Sequence, residues 1–371
     1  MKLLKLLISI VSVAILSACA LLHFLAPAAQ NQLQQNADFI GWKKIGEDFS
    51  SNNGYYGLDV DSHGTPYVIM MGISDSSILY KFDGKWSFVC SNLPFVQASA
   101  SVLRIGNDDN PYVAYLDFAY NGVLQNFYGP AAVSVAAGEF TNGVEFFDYV
   151  ITTGGRHIVS YRMTNFGVVT IHQDTGFYWE YAAPFMEHPP VDPLEIHMAA
   201  APNDEVFILY IGATSNELYY SQGGMNIISL TGPDMQFAIG GNRIFYVFAT
   251  MTSYYELKFM IKDIGAPSFI SNDALDLHAN AYFAHPEDTI VATKQPPYQA
   301  FCLLEETGST AQYILQIKED FTLSRIELPP VDGTFNDAFL FAGRDGSIYL
   351  LIDYSDTNLA INKLSVYRYY Y

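Results

Sequence analysis

The sequence predicts an all-β fold, a single seven-bladed β-propeller. A segment in which a strand, a polar turn and a second strand follow one another recurs seven times along the chain. Half of the residues are hydrophobic and 15% are aromatic, which is enough to fill a large core, and no linker-like segment separates the copies. A period of roughly 40–50 residues with four short strands is typical of a propeller blade. Six or eight blades remain open, because the copies between residues 230 and 330 are weak.

The first copy, residues 55–89, shows all four strands of a blade. Its first strand ends in the polar turn 61–65, its second begins Pro66-Tyr67-Val68, and an Asp83-Gly84 hairpin joins the last two. The second copy repeats Pro-Tyr-Val 45 positions later. These two copies loosely resemble the blades of exported bacterial propellers, a resemblance that implies architecture and no activity.

Aligning the copies on their second strands extends the pattern along the chain. The positions taken as equivalent are Tyr67, Tyr112, Ile158, Phe207, Phe245, Ile290 and Tyr349. The last interval, from Ile290 to Tyr349, is the longest and contains the strand-like run Gln312–Ile317. This alignment therefore predicts an insertion in one blade.

The seventh copy is one strand short. It supplies strands at 337–342, 347–353 and 358–369, while the segment Gly41–Gly46 ahead of the first copy resembles the fourth strand of that copy. We expect residues 40–46 to complete the last blade as its N-terminal strand, because this removes an exposed sheet edge.

The N-terminus carries a targeting signal. Lys2 and Lys5 precede the apolar run Leu6–Leu16, which leads into Leu16-Ser17-Ala18-Cys19. This order resembles a bacterial lipoprotein signal peptide with its lipobox. The resemblance implies a signal peptide at 1–18 and lipid attachment at Cys19. A tether at 19–39 then leads to the propeller, which the repeats place at 40–371. The resemblance also implies an exported protein, lipid-anchored to the bacterial cell membrane or, since Ala20 follows the cysteine, to an outer membrane.

Two alternatives for this segment stay open. The apolar stretch continues to Leu25, which gives it about the length of a membrane-spanning helix, so the segment could be retained as an anchor. Cleavage near Ala26-Pro27-Ala28, a small-x-small site, would instead release the protein.

Charge and cysteine content narrow the function classes. The net charge of −20, from 38 acids and 18 bases, argues against nucleic acid as a partner. Cys90 and Cys302 lie in strand-like runs, which favours buried, unpaired thiols over a disulfide, and no Cys/His spacing is typical of zinc.

Five acids form the main candidate site. Each stands shortly before the second strand of its copy, where the innermost strand of a blade begins, and two belong to acid-x-His pairs. The candidate cation site at the rim of the channel comprises Asp148, Glu195, His197, Asp234, Asp276, His278 and Asp337. Equivalent positions would converge at one channel mouth and favour a divalent cation. The alternative interpretation, which we favour, is that these acids are ordinary solvated residues at strand ends. On that interpretation the chain needs no cofactor, and no particular metal is predicted.

No catalytic constellation is evident. The runs Asp61–Thr65 and Arg344–Ser347 come nearest to the Asp-boxes of sialidases, yet both are typical turn sequences. We therefore expect a non-catalytic binding or scaffold lipoprotein at the cell surface, with a protein or glycan ligand. A glycan-active hydrolase using carboxylates at the channel mouth is the alternative.

Overall fold

The structure is a computed structural model that describes residues 40–371 apart from short gaps. The gaps are 52–55, 72–75, 95–100, 117–121, 127–132, 137–143, 164–166, 174–179, 182–192, 213–215, 221–227, 231–234, 252–254, 265–280, 284–289, 307–310 and 360. The chain divides into two compact units, residues 44–368 and a small one whose described part is 40–43 with 369–371.

The described residues form 29 strands and no helix. In chain order they are β1 (Gly41–Lys44), β2 (Phe49–Ser51), β3 (Tyr56–Val60), β4 (Pro66–Met71), β5 (Ser76–Phe82), β6 (Trp86–Pro94), β7 (Ser101–Ile105), β8 (Pro111–Leu116), β9 (Gly122–Asn126), β10 (Val133–Ala136), β11 (Val144–Ile151), β12 (His157–Met163), β13 (Gly167–Gln173), β14 (Glu180–Tyr181), β15 (Pro193–Ala200), β16 (Val206–Gly212), β17 (Asn216–Tyr220), β18 (Ile228–Leu230), β19 (Met235–Gly240), β20 (Arg243–Met251), β21 (Tyr255–Asp263), β22 (Ala281–Phe283), β23 (Ile290–Ala292), β24 (Gln299–Glu306), β25 (Gln312–Lys318), β26 (Leu323–Glu327), β27 (Thr334–Ala342), β28 (Ile348–Asp356) and β29 (Ile361–Tyr370).

Most strands that follow one another in the sequence also pair with one another, antiparallel, in the same sheet. Four sheets are simple four-stranded meanders, β3 to β6, β7 to β10, β11 to β14 and β15 to β18, and another has the order β1-β29-β28-β27 with β2 also on β29. In the remaining described part, β19 to β21 form a three-stranded sheet, and β22 and β23 both pair with β24, followed by β25 and β26. This arrangement confirms the predicted all-β propeller architecture.

The second strands of the sheets are largely buried. Every residue of β8 and of β16 is buried, since the sheets stand face to face and pack their side chains between neighbours. Tyr115, Tyr149 and Tyr349 are among the largest fully buried side chains. The aromatic content of the sequence is therefore used between the blades.

The first and last sheets share one core. Leu58 and Val68 of the first sheet pack in the same cluster as Tyr349 and Leu364 of the last. Within the larger unit, Phe49–Ser51 pairs antiparallel with residues 362–364, and the Ile45 N–H donates to the Val366 carbonyl across 2.8 Å. Within the small unit, the Trp42 and Tyr369 rings lie 4.9 Å apart. The N-terminal segment thus pairs with the strand predicted to need a partner.

One second-strand position was predicted wrongly. Ile290 lies on β23, an innermost strand, and pairs with Cys302 of β24. In other sheets the first N–H of the turn donates to the last carbonyl, and the reference position of the second strand follows two residues later. The Thr293 N–H donates to the Gln299 carbonyl in the same way, so the equivalent position is Phe301. The run Gln312–Ile317 is then an ordinary third strand, β25, and the extra length lies before β24.

Both described cysteines are free and buried, as the sequence predicts. Cys90 packs in the cluster between the first two sheets, and Cys302 in the cluster that contains Phe245 and Leu315. Each thiol behaves as a small hydrophobic side chain.

Candidate functional site

A cavity of about 220 Å³ runs along the centre of the larger unit. Its walls are the innermost strands of successive sheets and the residues that follow them, from Leu58 on β3 round to Phe341 on β27. Six of its lining side chains are charged or titratable: Asp59, Arg104, Asp148, His197, Lys294 and Arg344.

Five-residue turns follow several innermost strands at one end of the cavity, and one of these turns contains Arg344. In each turn the first N–H donates to the last carbonyl, and the fourth residue has a positive φ, as at Gly64 and Asp109. The described turns of this kind are 61–65, 106–110, 152–156, 201–205 and 343–347. We call this end of the channel the turn end.

Side chains from one turn fasten the next. The Asp109 carboxylate accepts hydrogen bonds from the Ser62 N–H and hydroxyl, both 2.8 Å long, and Asp204 accepts the Gly154 N–H across 2.6 Å. The bonds to Ser62 hold the pKa of Asp109 below its usual value, more than offsetting the effect of burial. These bonds therefore tie the first turn to the second, and the third turn to the fourth.

The two carboxylates of the cavity wall bind backbone groups. One oxygen of Asp59 accepts the Val60 N–H at 2.8 Å and the other accepts the Ile105 N–H of the next sheet at 2.7 Å. Asp148 binds the Tyr149 and Met198 N–H groups in the same manner, at 2.6 Å each. An innermost strand has no further strand beside it, so these carboxylates satisfy N–H groups on its free edge.

Three cations line the same cavity, and we call Arg104, Lys294 and Arg344 the cation trio. The Arg344 guanidinium donates to the Gly106 carbonyl at 2.9 Å, and Arg104 donates to the Leu103 carbonyl at 3.1 Å and lies 3.8 Å from Asp148. Lys294 forms neither a hydrogen bond nor an ion pair with any residue that the structure describes.

Lys294 stands in an environment that disfavours its charge. Enclosure by protein lowers its pKa most, and repulsion from Arg344 and Arg104 lowers it further, against the attraction of Asp59 and Asp345. The Lys294 side chain is nevertheless exposed to solvent. Asp345 itself is paired with Arg368, 2.8 Å away.

The predicted rim acids do not occupy one common level. Glu195 and Asp337 each stand six residues before a turn, whereas Asp148 stands four residues before one. Of these three, only Asp148 lines the cavity. At about 3.3 Å per strand residue, Glu195 is some 20 Å of strand away from its turn. Glu195 and Asp337 therefore stand at the same distance from their turns, and Asp148 stands two residues nearer to its own turn.

Local partners surround the two outlying acids. Glu195 lies 3.4 Å from the Nε2 atom of His197, and His197 itself lines the cavity. Asp337 accepts the Ala338 N–H at 2.9 Å and the Gln312 side-chain amide at 3.2 Å. Among the described residues, no group of three or more His, Cys, Asp or Glu could hold a metal ion.

Several predicted positions lie outside the described residues. They are Asp234, Asp276, His278 and the lipid-attachment residue Cys19. The cation site therefore stays a prediction. In the described ranges no helix has the length and hydropathy of a membrane span.

The cation trio was missed by the sequence analysis. Lys294 and Arg344 share the second position after an innermost strand, and Arg104 stands two residues before its turn, as Asp59 does. The available signal was that bases are scarce, 18 in the whole chain, and that all three members of the trio fall in or beside a turn.

Comparisons with known proteins give a likeness of fold. No protein-family model matches the chain, and no curated protein matches it. The BP39L lectin from Burkholderia pseudomallei has a similar structure, with a TM-score of 0.60, 10% identity, and coverage of 86% of this chain and 96% of the lectin. A streptogramin B lyase has a TM-score of 0.44 at 12% identity, with coverage of 88% and 97%. An α-L-arabinanase from Penicillium chrysogenum has the same TM-score and identity, with coverage of 88% and 98%. At these identities the likeness extends to the propeller fold and no further.

Proposed function

We propose that this protein is a non-catalytic binding lipoprotein of the cell surface, whose propeller takes a saccharide ligand at its central cavity. The observation that carries the proposal is the state of the cavity carboxylates. Asp59 and Asp148 both accept backbone N–H groups, while Arg104, Lys294 and Arg344 line the same cavity. This combination supports binding of a ligand at the cavity.

A glycoside hydrolase would need a different arrangement. It uses two carboxyl groups about 5–9.5 Å apart that both meet the scissile bond, one of them as an acid. Asp59 and Asp148 instead tie successive sheets together through Ile105 and Met198. This structural use of the cavity carboxylates favours binding over hydrolysis.

The fold likeness sets the order in which ligands are tested. The BP39L protein of similar fold is a lectin by its name. Saccharides are therefore the first ligands to offer this chain.

Seven blades, closed by the N-terminal strand, are part of the proposal. The seven antiparallel sheets of the described residues support that count, and so does the shared core of the first and last sheets. The pairing of Phe49–Ser51 with residues 362–364 supports the closure.

One experiment distinguishes a binding protein from a hydrolase. The full chain, purified in detergent, is applied to a glycan array, and every glycan that binds is then incubated with the protein and analysed for cleavage by mass spectrometry. We expect retention of at least one glycan class without cleavage. Cleavage that is lost in Asp148→Asn would support the hydrolase instead, and the absence of any bound glycan would overturn the saccharide ligand.

Anchoring at Cys19 is tested separately. Cys19→Ala should move the protein from the detergent phase to the aqueous phase in phase partitioning, because two or more acyl chains are what makes lipid anchoring stable. Cys90→Ala, which removes a buried thiol, is the control. Unchanged partitioning of Cys19→Ala would favour a retained apolar helix.

A further inference from the structure

The cation trio gives the cavity a charge opposite to that of the protein. Three cations and two carboxylates line it, together with His197, in a chain of net charge −20. The carboxylates each accept two backbone N–H groups, whereas Lys294 donates to no residue that the structure describes. A guanidinium carries five N–H groups, and the single bond from Arg344 to Gly106 uses one of its donor atoms.

The trio converges from three separate sheets. Arg104 comes from β7, Lys294 follows β23 and Arg344 follows β27. Arg344 reaches over to the first residue of the turn after β7, so its guanidinium lies near the level of Arg104. Like charges brought together in a partly enclosed space repel one another, and repulsion from Arg344 and Arg104 adds to the larger effect of enclosure in lowering the pKa of Lys294.

An anion in this space would relieve the repulsion. Arginine and lysine bind carboxylate and phosphate oxygens through short, charge-assisted hydrogen bonds. The cavity, at about 220 Å³, is smaller than the roughly 300–1,000 Å³ of pockets that take drug-sized ligands. It therefore suits a small oxyanion or one charged group of a larger ligand.

We propose that the turn end of the channel binds an oxyanion group through Arg104, Lys294 and Arg344, and that the ligand is an acidic saccharide recognised by its carboxylate. This inference rests on the proposed binding role and names the ligand class for it. Lys294 is the residue to change, because no described residue pairs with it and its removal leaves the sheets' own hydrogen bonds intact.

The test uses the full chain in detergent with three probes at matched ionic strength: glucuronate, sulfate and glucose. Isothermal titration and thermal melting are both recorded, since a ligand that binds only the folded state raises the melting temperature. We expect glucuronate to bind, glucose to bind more weakly or not at all, and sulfate to compete with glucuronate.

Lys294→Gln should weaken glucuronate binding by about tenfold to a hundredfold, the loss expected from one charge-assisted hydrogen bond. Without ligand, this variant should melt at the same temperature as the parent or higher, because a repelled charge is gone. Lys85→Gln removes the same charge from an exposed hairpin and should change neither property.

Three results would overturn the anion site. They are glucuronate binding that is equal in the parent and Lys294→Gln, an equal loss in Lys85→Gln, and melting that responds to calcium but to neither anion. If a neutral glycan binds and Lys294→Gln leaves that binding unchanged, the proposed binding role survives and the anion site does not. If no saccharide binds, the proposed role fails too, and sulfate-dependent melting alone would leave only an inorganic oxyanion site.

Discussion

The Asp59 carboxylate accepts the backbone N–H of Ile105 on the neighbouring innermost strand, across 2.7 Å. Asp148 and Met198 repeat this relationship two sheets further on. A buried side chain thus takes the place of the strand that the inner edge lacks, and the same bond sets the spacing of successive sheets beside the cavity.

Replacing that acceptor should cost stability. Asp59→Asn places an amide NH₂ group against one of two N–H donors, and a buried donor left unsatisfied costs about 1–3 kcal/mol. We expect the free energy of unfolding to fall by about 2 kcal/mol in urea denaturation. Asp83→Asn makes the same change on an exposed hairpin, where we expect less than about 0.5 kcal/mol. Equal effects would show that the link between sheets contributes nothing.

Acid should destabilise the protein through His157. Burial lowers the pKa of His157 to about 4, although Asp108 opposes that shift, and its ring bonds the Tyr149 hydroxyl at 2.6 Å. A depressed histidine pKa means that the unfolded state binds more protons between pH 4 and about 6.5. The stability that neutral His157 contributes is therefore complete above pH 6.5 and is lost as pH falls toward 4.

The size of that loss is roughly 1–3 kcal/mol, allowing for partial exposure of the ring. Denaturation at pH 4.5 and 7.5 measures it, and His157→Gln should flatten the difference. His63→Gln, whose side chain is 77% exposed, should keep the pH dependence of the parent. A parent-like pH dependence in His157→Gln would contradict the assignment.

Two glycines test the crowding of the turn end. Gly346 has φ +82°, and a Cβ atom there would lie 2.9 Å from that of Gln295, next to Lys294. Gly84 has φ +70° with nothing within 4 Å. Gly84→Ala should cost about 1 kcal/mol for the left-handed backbone alone. Gly346→Ala should lower the free energy of unfolding by about 2–3 kcal/mol, because Gln295 must also move to make room for the new methyl group. Thermal melting compares them, and a smaller cost at Gly346 would contradict the packing.

The two described thiols should not react with thiol reagents in the native protein. Burial raises the pKa of Cys90 to about 11 and raises that of Cys302 further, and the thiolate is the reactive form. We expect peptides containing either cysteine to be unlabelled by a maleimide in buffer and fully labelled in denaturant. Native labelling, or a peptide pair joined by a disulfide, would refute this.

Sequence reasoning identified the sheets where the local pattern was regular. Pro66-Tyr67-Val68 and Pro111-Tyr112-Val113 begin second strands in the structure, as predicted. The pattern failed at Ile290, where the turn from Thr293 to Gln299 has seven residues instead of five and contains two prolines. A short apolar innermost strand then looks like a second strand, because composition does not distinguish the two.

The candidate site was harder to predict, for a geometric reason. The number of residues between an acid and the second strand shows to which blade the acid belongs. It does not determine the position of the acid along the channel axis. One strand residue shifts the level by about 3.3 Å, so Asp148 and Glu195 fall at different heights. Arg104 precedes its turn, whereas Lys294 and Arg344 lie within theirs. A search for residues at one fixed distance from the second strand therefore cannot find all three.

The pairing of Phe49–Ser51 with residues 362–364 has a consequence for biogenesis. Asp48 bonds Tyr354 and Ser365, partners 306 and 317 positions away, so residues made early are held by residues made much later. Contacts of such long range delay folding, because the chain between them must be ordered first. Sheets nearer the N-terminus can therefore form while the chain is still being made, but the pairing of β2 with β29 must wait until residue 364 has been synthesised.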